Sequence, residues 1–101
     1  MLKIEIEEAG SQTNVILEGK LDSITVGEFE SILAEIPKSV KHIDINMEKV
    51  SSISSMGLRV LLQFHNQINE DGRKLTVSHP REIVNEVFEV TGMSAYIDII
   101  P

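Results

Sequence analysis

A chain of 101 residues with 42% hydrophobic content is sized for one domain with a core of its own, expected to span residues 1–101. Its net charge is -7 and its nine Lys and Arg residues are scattered, which argues against a nucleic-acid partner and for a protein partner. Without cysteine there is no disulfide framework, thiol catalysis or cysteine zinc site; without an apolar run of roughly 18–20 residues, direct membrane insertion is not expected, and the chain reads as a cytoplasmic protein.

Leu2, Ile4 and Ile6 alternate with Lys3, Glu5 and Glu7, the period-two pattern of a strand with one buried and one wet face. Val15 and Leu17 continue it after a turn at Gly10 and Ser11, so the two segments predict a hairpin. Val26, Phe29, Leu33 and Ile36 then follow helical spacing, with Thr25 and Glu28 in the form of a capping box and Pro37 closing the helix. Ile43, Ile45 and Met47 alternate with polar residues as a third strand, and the serines of KVSSISSMGLRVLL are expected to follow it in a loop. From about Ser55 to Asn69, Leu58, Leu61, Leu62 and Ile68 mark a second helix, ended by Asp71-Gly72. Leu75 and Val77 give a short fourth strand. Pro80 suits the first position of a third helix with Ile83, Val84, Val87 and Phe88 on one stripe, and the tail YIDII is expected to form a last short element.

Strands covered by helices on both faces usually read as continuous apolar runs, whereas all four here alternate. The fold class is therefore α/β, a mixed sheet of four to five strands with helices mainly on one face. Two right-handed crossovers between residues 13 and 78 make strands two, three and four parallel. Their carboxyl ends open into residues 21–25, 51–55 and 78–80, which are expected to gather at one edge, where open α/β sheets place their sites.

Two readings of the serines stay open on local pattern. Ser54 or Ser55 is a good N-cap for the second helix. The same helix end, with free N–H groups and a positive dipole, would also accommodate a phosphate on a first-turn serine. Other chemistries lack support. There is no GxxxxGK[ST] phosphate loop and no GxSxG elbow. His42, His65 and His79 are scattered, and the carboxylates Glu7-Glu8 and Glu70-Asp71 suit solvated faces or turns. No active site, cofactor site or metal site is read from the chain, which is not expected to be an enzyme.

The stretch IDINMEKVSSISSMGLRVLL resembles the central strand, loop and helix of the STAS domain, the fold of bacterial anti-sigma factor antagonists. GKLDSITVGEFESIL and GRKLTVSHPREIVNEVFEVTGMSAYIDI extend the resemblance over nearly the whole chain. In that family the loop commonly reads Asp-Ser-Ser/Thr-Gly-Leu, and its first serine is phosphorylated by a serine kinase that is also the anti-sigma factor. The resemblance puts the family acid at Ser54, the phosphoacceptor at Ser55 with Ser54 as the alternative, and the next hydroxyl, the glycine and the leucine at Met56, Gly57 and Leu58. Asp22 matches an acid at the edge where the kinase docks. The implied partner-binding surface is Asp22, Ser23, Ser54, Ser55, Met56, Gly57 and Arg59. Ser54 and Met56 depart from the common motif.

What the resemblance implies is an anti-sigma factor antagonist in a partner switch. It would bind an anti-sigma factor that is also a serine protein kinase, lose that binding on phosphorylation, and be reset by a serine/threonine phosphatase. The family also offers an alternative, a non-phosphorylated accessory subunit of a membrane transport system.

Overall fold

Alternation at the amino end produces two antiparallel strands, β1 (Leu2–Ala9) and β2 (Gln12–Leu21), joined by the tight turn at Gly10-Ser11. Gly10 sits at φ +65°, a left-handed conformation that glycine adopts without a Cβ penalty. The computed structural model describes residues 2–101. After β2 come α1 (Val26–Glu35), β3 (His42–Ile53), α2 (Ser55–Glu70), β4 (Lys74–Ser78), α3 (Glu82–Val90), a 3-10 turn (Met93–Ala95) and β5 (Asp98–Ile100). The strands lie in one sheet in the order β1-β2-β3-β4-β5, and every pair from β2 onward is parallel.

The side chains facing inward along β2, β3 and β4, among them Val15, Leu17, Ile43, Ile45, Met47 and Val77, form one core with Phe29 and Leu33 of α1, Leu61 and Ile68 of α2, and Val84 and Phe88 of α3. The opposite face carries Gln12, Asn14, His42, Asp44, Asn46 and Ser78, and the groove over it is lined by no helical residue. The helices therefore lie on one face, as the alternation predicts. The buried charged group on the open face is the Asp44 carboxylate, 9% exposed, which accepts hydrogen bonds from Thr76 Oγ1 and Ser78 Oγ at 2.6 Å each. Because the single Thr76 proton goes to Asp44, the His42 Nε2 at 2.8 Å is the donor to Thr76.

Four local expectations are corrected. The capping box does not form: Thr25 makes no side-chain cap to α1. Asp22 acts one turn earlier, its Oδ1 accepting from the N–H groups of Ile24 and Thr25 at 3.0 and 3.1 Å, while its carbonyl accepts from Val26. Pro80 lies ahead of α3, whose N-cap is Arg81, and Ile83 is 58% exposed rather than part of the buried stripe. Finally, β3 does not stop near Met47. Two register shifts against β2 insert extra residues into β3, so Met47, Val50 and Ile53, three apart, all turn toward the core. Ser51 and Ser52 consequently belong to the strand, and the serine loop shrinks to Ser54.

Candidate functional site

The long β3 decides which segments meet. Its end pairs with the end of β2, Ile53 beside Leu21, and the Ser54 N–H donates to the Leu21 carbonyl at 2.9 Å. The β2–α1 turn and the start of α2 thus share one edge. β4 ends at Ser78, opposite Asn46, and at about 3.3 Å of rise per residue its end falls on the order of 20 Å short of Ile53. Residues 78–80 therefore do not join the other two segments; α3 is instead tied to mid-β3 by the Arg81 Nε donating to the Glu48 carbonyl at 2.8 Å.

Ser54 has extended backbone angles and its Oγ accepts from the Gly57 N–H at 3.4 Å, while its carbonyl accepts from Leu58, so the cap of α2 is Ser54 and not Ser55. Ser55 is the first helical residue, and its side chain is exposed. Gly57 is buried for a steric reason. A Cβ there would lie 2.8 Å from the Leu21 carbonyl oxygen, 3.0 Å from Leu21 Cγ and 3.1 Å from Ile53 Cγ1. The first turn of α2 is seated directly on the ends of β2 and β3, and that contact fixes where the Ser55 hydroxyl emerges.

Across this edge, Asp22 is half-buried, and the N–H donors of Thr25 first and Ile24 second hold its carboxyl below the usual carboxylate range. Thr25 is the latch beneath it. Its Oγ1 donates to the Lys20 carbonyl at 2.7 Å and accepts from the Asp22 N–H at 3.0 Å, which leaves the 3.3 Å approach to Asp22 Oδ1 without a proton of its own. Sequence reasoning missed this role, although Asp and Thr three apart is the spacing of such a self-bonded turn. It also missed Ile24, 87% exposed between Asp22 and Thr25.

Of the residues expected at a partner surface, Asp22, Ser23, Ser54, Ser55, Met56 and Gly57 come from the two adjoining segments. Ser23 and Ser55 are exposed, Met56 is 42% exposed, and Gly57 lies beneath them. Arg59 is exposed one turn further along α2. The result is a small platform of hydroxyls and apolar side chains, with an acid on one side and a cation on the other.

Residues 3–101 match the family model of the STAS domain, and the chain belongs to that family. Its relatives include the anti-sigma-B factor antagonist of Staphylococcus aureus, 28% identical over 93 residues that cover 91% of this chain and 86% of the relative. Among solved structures, an anti-sigma factor antagonist from Mycobacterium paratuberculosis superposes with a TM-score of 0.90 at 18% identity, covering all of this chain and 86% of the other. The Bacillus cell fate determinant SpoIIAA in its phosphorylated form superposes at 0.75, with 18% identity over 98% of this chain and 92% of the other. At these identities the structural likeness speaks for the fold.

Proposed function

We propose that this chain is an anti-sigma factor antagonist whose docking edge is the Asp22–Thr25 turn and the first turn of α2, and that reversible phosphorylation of Ser55 controls it. The observation that carries the reading is the division of labour between adjacent serines: Ser54 is used up as the cap, while Ser55 projects from the same turn into solvent. The names of the relatives point to an anti-sigma factor as the partner; that this partner is also a serine kinase is part of the proposal and follows from the resemblance of the serine loop to the family motif.

In the transfer, the Ser55 Oγ–P bond forms as the bond between the γ-phosphorus and its bridging oxygen breaks in ATP. ADP leaves, and the hydroxyl proton passes to the kinase base or to solvent. The product carries about -1.5 to -2 charges beside apolar Met56, so a surface complementary to the neutral platform meets repulsion and a desolvation cost. A phosphatase that restores the hydroxyl restores binding. The phosphate itself is tolerated by the folded chain because it sits at a helix amino end whose first turn contains no acid.

The test is incubation with the anti-sigma kinase of the same organism and ATP, read by peptide mass spectrometry. One phosphate on Ser55, absent from Ser55→Ala, is expected; full labelling of Ser55→Ala would overturn the assignment.

A further inference from the structure

Arg59 lies four residues after Ser55 on α2, and both side chains are exposed on the same face of the helix. Positions so spaced have Cβ atoms about 5–6 Å apart, within easy reach of a guanidinium. Arg59 has no competing acid at helical spacing, since its neighbours three and four residues away are Ser55, Met56, Leu62 and Gln63. Among the described residues the ion pair present is Arg73–Asp71, so Arg59 has no carboxylate partner. Other bases among the described residues likewise lack an ion pair; what distinguishes Arg59 is its place, as the one lysine or arginine of α2 and one turn from the proposed acceptor. The acid on the adjoining segment, Asp22, already accepts from two backbone N–H groups.

We propose that Arg59 is the internal counter-ion of a phosphate on Ser55, a role that rests on the phosphorylation proposed above. The guanidinium folds back along α2 and donates charge-assisted hydrogen bonds to the phosphate oxygens, in the favourable sense of anion before cation at this spacing. Its planar fork suits two phosphate oxygens better than the point charge of a lysine. Phosphorylation then changes the docking platform twice. It adds a dianion, and it withdraws from the partner the free cation that flanks Ser55 and Met56 in the unmodified chain. Arg59 is in this sense a positioning residue for the modified state.

Phosphoserine encoded at position 55 of the full chain makes the test independent of any kinase. The second ionisation of the phosphate is followed by phosphorus NMR in the otherwise unaltered protein, in Arg59→Gln and in Arg59→Lys. The counter-ion places the phosphate pKa of the parent below that of Arg59→Gln by roughly 0.3 pH unit or more, the scale of a helical ion pair. The gap closes near 1 M salt, where the screening length is about 3 Å, and Arg59→Lys falls between the two. Equal pKa values in the parent and Arg59→Gln, with the helical signal retained, would overturn the proposal. A gap that salt does not reduce would overturn it as well, because such a gap reports a change of packing and not an ion pair. Failure of a kinase to label Ser55 would count against phosphorylation in the cell and leave this titration untouched, so the two claims fail separately.

Discussion

The first turns of α1 and α2 open at the same edge of the sheet, and each contains a glycine, yet the two are built on opposite terms. α1 is separated from the end of β2 by an intervening turn that Asp22 and Thr25 bond to themselves, and a Cβ on Gly27 would meet nothing within 4 Å. α2 has no such spacer. Ser54 leads from β3 directly into the helix, and Gly57 brings its backbone against the Leu21 carbonyl. The difference shows where the molecule needs precision: the α1 end is an open-sided turn with an exposed Ile24, whereas the α2 end is a seat that holds the Ser55 hydroxyl at a defined place.

The contrast is broken most severely at the two glycines. Gly57→Ala is expected to cost about 1–3 kcal/mol, because the added carbon meets backbone that cannot give way. Gly27→Ala should instead stabilise the protein by about 0.5–1 kcal/mol, the usual gain of alanine over glycine in a helix with open space around it. Denaturant midpoints at constant slope check both, and equal effects of the two substitutions would contradict the seat.

The neighbouring serines sharpen the contrast on a smaller scale. Ser54→Ala should destabilise by about 1 kcal/mol through loss of the cap to Gly57. Ser55→Ala should stay within about 0.5 kcal/mol of the parent, as an exposed side chain with no bond to lose does. A Ser55→Ala cost as large as that of Ser54→Ala would mean that the capping roles have been exchanged.

The smallest difference falls at Asp22 and shows as a pH dependence. Its carboxyl is held below the ordinary value of 3.8, chiefly by the Thr25 N–H, so the stabilisation is fully present above that value and is lost as pH falls through the lower folded-state value. Asp22→Ala should therefore be less stable than the parent near neutrality, and the gap should narrow in strong acid. A gap that stays constant from neutral pH to below the carboxylate range would show that the charge has no part in the turn.

Much of this edge was legible in residue spacing because most elements obey one period. The hairpin, the parallel crossovers, both ends of α2 and the single helix-bearing face follow from alternation and helical stripes. What escaped the period was β3. Its bulges replace period two with steps of three from Met47 through Val50 to Ile53, so alternation ends at Met47 although pairing with β2 continues. The same extension carries the β2 and β3 ends beyond β4, which is why residues 78–80 do not belong to the site. Thr25 and Glu28 carry the letters of a capping box, but Thr25 turns to the Lys20 carbonyl, a contact five residues back across the turn that helix-start patterns do not contain. Of the expected α3 stripe, Val84 and Phe88 are buried, while Ile83, one helical step to the side, is exposed. The role of Ser55 was drawn from family likeness, and geometry adds that it is the serine left free.

If phosphate on this one free hydroxyl switches partner binding, titration calorimetry reads the switch directly. The unmodified chain and the chain carrying phosphoserine at position 55 are each titrated against the anti-sigma factor of the same organism. Tight binding of the unmodified protein is expected, with at least a tenfold rise in Kd on phosphorylation, a difference of about 1.4 kcal/mol or more. Equal Kd values for the two forms would contradict the switch.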